Sequence, residues 1–151
     1  MSKVRLGIIG IGNMGSGHVE SILGGKVPEI ELAAVADLRE VRRQWARETV
    51  PETVKIFETA EELLDDSDLD AVLVAVPHYD HPRYVIQALW RGFHVMCEKP
   101  AGVYTKQVRE MNEEANKHDL VFGMMFNQRT NHIYRKMHEL VTGGQYGAVK
   151  R

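Results

Sequence analysis

The residues able to do chemistry sit in a few short stretches. Glu98-Lys99-Pro100 follows the apolar run Phe93–Cys97. An ammonium group at the end of a strand can hydrogen-bond a substrate oxygen or assist proton transfer, and a neighbouring carboxylate can balance its charge or contact a ribose hydroxyl. Spacing alone fits an ordinary surface ion pair before a turn equally well. A second stretch, Gly10-Ile11-Gly12-Asn13-Met14-Gly15, closes the apolar run that begins at Val4 and has the G-x-G-x-x-G spacing. Gly10 permits a tight turn, Gly12 leaves room for a diphosphate beside the backbone, and Gly15 lets a helix pack close to the strand. Such a helix offers free amide N–H groups and the positive end of its dipole to phosphates. Taken alone the glycine pattern is weak; the strand before it and the helical residues after it strengthen it.

Asp37 ends a second apolar run, Ile30–Ala36, and lies 22 positions after Gly15. A carboxylate at that distance is placed to accept hydrogen bonds from the hydroxyls of an adenosine ribose, with Leu38 and Arg39 beside it. It would repel a 2′-phosphate, which favours NAD over NADP. Arg39, Arg42 and Arg43 soften that preference, because an arginine here could hold the phosphate. A solvated acid capping the next helix is the plainer alternative, and Arg42-Arg43 reads as a pair on a solvated helix face. Val76-Pro77-His78 follows a fourth run, Ala71–Val76, so it too falls at a strand's carboxyl end, where ligands bind in open parallel sheets. His78 and His81 are three apart, but no carboxylate or cysteine completes a metal set nearby, so no metal is expected. The other histidines (His18, His94, His118, His132, His138) are scattered and read as structural or exposed.

The elements that must position these residues alternate along the chain. Strand candidates are Val4–Gly10, Ile30–Ala36, Val54–Phe57, Ala71–Val76, Phe93–Cys97 and Leu120–Phe126. Those at 71–76 and 120–126 are nearly all apolar, as parallel strands covered on both faces should be. Thr59 and Glu62 form a capping-box pattern, Pro82 suits the first turn of a helix, and Thr105 can cap another. Ile133, Met137, Leu140 and Val141 mark an amphipathic helix that stops at Gly143-Gly144, and 145–151 reads as a strand just begun. Strand–helix alternation implies right-handed crossovers and an α/β fold: a doubly wound parallel sheet in three αβα layers.

The 151 residues suffice for one domain with a real core. With 26% charged residues and a net charge of −2, no basic block points to nucleic acid. No apolar run approaches a membrane span, no secretion signal opens the chain, and the single cysteine, Cys97, cannot form an internal disulfide. A cytoplasmic location is the expectation.

Together, the turn at Gly10–Gly15, Ala75-Val76-Pro77-His78 with His81, and His94-Val95 leading into Glu98-Lys99-Pro100 resemble the Gfo/Idh/MocA oxidoreductases, relatives of glucose–fructose oxidoreductase and inositol dehydrogenase. Asn127-Gln128-Arg129 is similar to the family's polar turn after the sixth strand. Position 78 is histidine where the family often has asparagine. The resemblance implies a Rossmann domain with NAD, or NADP, as cofactor, and hydride transfer involving a hydroxyl of a sugar, cyclitol or related polyol. It places Lys99 beside the nicotinamide as the catalytic residue and Glu98 on the nicotinamide ribose, with Lys99–Pro100 open to the cis form. The cofactor-side set it implies also includes Val76, Pro77, His78, His81 and Asn127.

Family members are more than twice this length, their second half supplying most substrate contacts. Residues 1–143 are therefore expected to be the dinucleotide domain, and 144–151 the start of an α+β substrate domain absent from this chain. As given, the chain should bind nucleotide and catalyse poorly. The face meeting the missing half should be apolar, inviting homo-oligomers. A non-catalytic NAD-binding sensor of the same fold is an alternative. An S-adenosylmethionine methyltransferase also uses a glycine turn and an acid after the second strand, but Glu98-Lys99-Pro100 has no task in that chemistry.

Overall fold

The computed structural model describes residues 2–66, 68–148 and 150. Strands and helices alternate: β1 (Val4–Ile9), α1 (Asn13–Leu23), β2 (Ile30–Ala36), α2 (Glu40–Thr49), β3 (Lys55–Phe57), α3 (Ala60–Leu64), β4 (Ala71–Val74), α4 (His81–Trp90), β5 (His94–Glu98), α5 (Thr105–Ala115), β6 (Phe122–Met125) and α6 (His132–Thr142), with a 3-10 turn at Asn127–Arg129. All six strands lie in one sheet in the order β3-β2-β1-β4-β5-β6, and every neighbouring pair is parallel. The chain winds outward from β1 to β3, returns to the other side of β1, and winds outward again. The reversal falls between β1 and β4, so the connections leaving their carboxyl ends diverge and open a crevice.

The near-continuous apolar strands are explained by helices on both faces. Along each strand, alternate residues enter opposite layers. Ile8, Val35 and Leu73 pack with Val19 of α1 and Ala46 of α2. Their neighbours Ile9, Ala34, Val72 and Val74 pack with Leu63, Val85, Leu89 and Met111 of α3, α4 and α5. Each fully buried aliphatic side chain contributes about 1.5–3 kcal/mol, so the two layers together hold the sheet between the helices.

Local signals account for most helix ends. Thr59 accepts from the Glu62 N–H at 3.2 Å and Glu62 accepts from the Thr59 N–H at 3.2 Å, closing the expected capping box. Pro82 sits in the first turn of α4, where no amide is needed. Thr105 is a different case: extended Tyr104 is the N-cap of α5, Thr105 is its first helical residue, and no side chain caps that end. Nor do residues 145–148 form a strand; Gln145 and Tyr146 turn, while Val149 and Arg151 lie outside the described residues. Amphipathic α6 runs as expected but none of its residues is buried, leaving Ile133, Met137 and Val141 more than half exposed. No helix among the described residues is long and apolar enough to cross a membrane.

At the root of α1, a Cβ on Gly15 would collide with the carbonyl oxygen of Gly10, whereas one on Gly17 would meet nothing within 4 Å. Gly15→Ala should therefore cost about 3 kcal/mol or more in urea unfolding, since backbone must move to admit the methyl group. Gly17→Ala, on the exposed side of the same helix, should be neutral or stabilise by roughly 0.5–1 kcal/mol.

Candidate dinucleotide site

The crevice is built around the turn after β1. Gly10 has φ +87°, and its N–H donates to the Ala36 carbonyl at 2.7 Å. A Cβ there would stand 2.9 Å from the Ala75 carbonyl oxygen, so only glycine lets the turn pass between the ends of β2 and β4. Ile11 points inward and is fully buried. Gly12 is the N-cap of α1 and no side chain caps it. The first helical bond runs from the Ser16 N–H to the Gly12 carbonyl at 2.9 Å, so the amides of Asn13, Met14 and Gly15 have no acceptor within the helix. A Cβ on Gly12 would meet only the Arg39 guanidinium, at 3.7 Å. Open space, unpaired amides and a helix dipole together make a cradle for a diphosphate.

Asp37 faces this cradle from the end of β2. Its Oδ2 accepts the Ile11 N–H at 3.0 Å, its Oδ1 accepts the Arg39 N–H at 2.9 Å, and the Arg39 Nε lies 3.5 Å from Oδ1. The side chain is 9% exposed. The carboxylate thus clamps the glycine turn to β2 while remaining on the crevice wall.

Arg43, read from sequence as one of a solvated pair, is instead buried. Its guanidinium donates to the carbonyls of Asp37 at 2.8 Å and Leu38 at 2.9 Å and pairs with Glu40 at 2.6 Å. Arg43 lies on the same stripe of α2 as buried Ala46, and it is the packing of that stripe on the sheet that buries it. Arg42 is the one of the pair that meets the crevice, donating to the Asn13 side-chain oxygen at 3.2 Å.

The cavity over β1, β2 and β4 measures about 640 Å³. Gly12, Asn13, Met14, Asp37, Leu38 and Arg39 form one wall; Ala75, Val76, Pro77, Asp80 and Tyr84 form the other, with Ala60 beneath. Asp80, Tyr84 and Ala60 were not anticipated; Tyr84 lies one helical turn after His81, and burial raises its hydroxyl pKa, leaving it a neutral hydrogen-bonding group at physiological pH. His78 is exposed and stacks on Tyr79 with ring centroids 5.5 Å apart; it adjoins Pro77 of this wall but does not line the cavity. His81 is also not part of it. Its ring is 2% exposed, with Nδ1 2.6 Å from the Pro100 carbonyl and Nε2 2.8 Å from the Val76 carbonyl. Both ring nitrogens lie against backbone carbonyls, one of which accepts the ring N–H, so His81 is wedged between the turn after β4 and the turn after β5. Among the described residues, no three His, Cys, Asp or Glu side chains could share a metal ion.

Glu98 and Lys99 emerge beside the crevice at the end of β5. Glu98 is buried at 4% exposure; its Oε1 lies 2.7 Å from His18 Nε2 and its Oε2 accepts the Lys99 N–H at 3.2 Å. Lys99 is exposed, and the Lys99–Pro100 peptide is cis. Asn127 is exposed in the 3-10 turn after β6. Crevice, lysine and polar turn therefore lie in sequence along the carboxyl ends of the strands.

Cys97, next to this edge, points the other way into the core. Burial, reinforced by the Glu98 charge, pushes its thiol up to about 12. The thiol should therefore resist Ellman's reagent at pH 8 in the folded protein and react promptly in urea; rapid reaction of the folded protein would contradict the placement. Replacing Arg43 by Met should cost about 1–3 kcal/mol in thermal unfolding, because two carbonyls lose a charged donor.

Comparison with known proteins agrees with this geometry. Residues 4–126 match the model of the oxidoreductase family with an NAD-binding Rossmann fold. A myo-inositol 2-dehydrogenase of Thermotoga maritima is 33% identical over 95% of this chain and 42% of its own length. An inositol 2-dehydrogenase of Corynebacterium glutamicum is 28% identical over 99% of this chain and 44% of its own. The crystal structure of scyllo-inositol dehydrogenase from Lactobacillus casei with bound NAD(H) and scyllo-inositol superposes with a TM-score of 0.87 at 27% identity, covering 95% of this chain and 42% of that one. The chain thus spans less than half the length of these relatives. With the glycine cradle, the acid across it and the Glu-Lys-Pro turn all at one sheet edge, this chain belongs to the Gfo/Idh/MocA oxidoreductase family and forms its NAD-binding Rossmann domain.

Proposed function

We propose that this chain is the nucleotide half of an NAD-dependent dehydrogenase acting on a CH–OH group of a cyclitol or sugar. The observation that carries the reading is the uncapped start of α1 facing Asp37 across an open cavity, one strand-end away from Glu98 and Lys99. The amides from Gly12 to Gly15 would hold the diphosphate, with Gly10 and Ile11 shaping the turn. Asp37, flanked by Leu38 and Arg39, would accept the adenosine ribose hydroxyls. Val76 and Pro77 would cover the cofactor's other side, with His78 and Asn127 at its borders. His81 is given a different task here from the one its place in sequence implied: it holds the Val76 and Pro100 carbonyls and shapes the wall without touching the ligand.

Bound nicotinamide supplies the hydride acceptor. Lys99, projecting from the turn that Glu98 secures, would hydrogen-bond the reacting hydroxyl, orient it and take up its proton as the carbonyl forms. Glu98 would receive the nicotinamide ribose. The inositol dehydrogenases among the relatives support a polyol substrate. In those relatives more than half of the length lies outside the matched part. We assign the walls that select substrate to a corresponding region entered through residues 144–151. The bare stripe of α6 is suited to contact with that region or with a second copy in a homo-oligomer.

The clamped, negatively charged Asp37 should make NADPH bind about ten-fold or more weakly than NADH, read from nucleotide fluorescence on titration. Asp37→Ser should narrow that gap, since Arg39 and Arg42 remain at the rim. Binding of S-adenosylmethionine without NADH would overturn the reading. In the longer enzyme, Lys99→Ala should lower kcat by about 100-fold or more while leaving NADH affinity within a factor of about three.

A further inference from the structure

Outside the residues assigned above, one polar contact reaches across the molecule into the proposed chemical end of the site. His18 Nε2 stands 2.7 Å from Glu98 Oε1, although 80 positions separate the two residues. The fold explains why they meet. Cys97 enters the layer covered by α4 and α5, so the next residue, Glu98, emerges on the opposite face of the sheet, where α1 lies. On α1, Gly15 and Val19 are buried against the sheet, and His18 follows Gly15 by one helical turn. Its side chain is 23% exposed and that of Glu98 5%, so the contact is sheltered on the carboxylate's side.

We propose that His18 is a positioning residue for the nicotinamide half of the cofactor site, acting through Glu98; this rests on the dehydrogenase reading above. The carboxylate has two oxygens and two neighbours: His18 on Oε1 and the Lys99 N–H on Oε2. The pair fixes the rotation of the Glu98 side chain and, through the backbone amide, the start of the Lys99 turn. Without His18 the buried carboxylate keeps one donor, and it would rotate toward water or toward the Lys99 backbone. The same helix presents its free amides to the diphosphate at its first turn and steadies Glu98 from its second. One rigid element thus sets the spacing between the two ends of a dinucleotide.

The test compares NADH with ADP, which has the adenosine diphosphate half but neither the second ribose nor the nicotinamide, as ligands of the 151-residue chain. His18→Ala should weaken NADH binding about ten-fold and leave ADP binding within about two-fold. His18→Gln, whose amide can donate to Oε1, should recover most of the NADH affinity. Adding His18→Ala to Glu98→Ala should cost little further, because the histidine acts through that carboxylate. His18→Phe, which occupies similar space without a donor, replaces His18→Ala if the latter does not fold. Equal losses for NADH and ADP would show a purely structural role and overturn the assignment. So would unchanged NADH binding. Failure of the unaltered protein to bind NADH would instead overturn the dehydrogenase reading, and this assignment with it.

Discussion

At Gly15 the backbone of α1 lies so close to the Gly10 carbonyl that no side chain fits between them. This contact sets the height and direction of the helix over the end of β1. Because the helix is seated there, its first amides point into the crevice at the switch between β1 and β4. Because it is seated there, too, Val19 meets Ile8 and Val35 in the layer beneath. The close approach therefore couples core packing to ligand geometry: a change that lifts α1 disturbs both. Gly10 makes the same demand from the strand side, with its positive φ and its contact with the Ala75 carbonyl.

Asp37 shows how a single side chain can serve fold and site together. Its two oxygens accept backbone N–H groups from Ile11 and Arg39, closing β2 onto the glycine turn. A carboxylate with both oxygens directed by backbone cannot swing aside for a bulky anion. It can still accept further bonds on its remaining lone pairs, which is what ribose hydroxyls need. Arg43 supports the same turn from below by holding the Asp37 and Leu38 carbonyls. A bulky anion at this position would therefore meet stiffness as well as charge.

Two histidines lie between elements that are far apart in sequence at this edge of the sheet. His81 joins the turns after β4 and β5 through two carbonyls. His18 joins α1 to Glu98. The exposed Lys99 stands between them, on the turn whose backbone N–H is held by Glu98.

Strand and helix order, the glycine turn and the acid after the second strand were legible in the residues alone. Each depends on neighbours within a few positions: apolar alternation, a backbone only glycine can adopt, a capping pair three apart such as Thr59 and Glu62. Tertiary structure decided what lay beyond that range. Arg43 looked solvated until the packing of α2 on the sheet placed it under the β2 turn, and His81 looked available until the turn after β5 took its second nitrogen. The pairing of His18 with Glu98 depends on strand order and on which face of β5 each residue takes. Such contacts are set by the meeting of distant elements, and local spacing carries no record of which elements will meet.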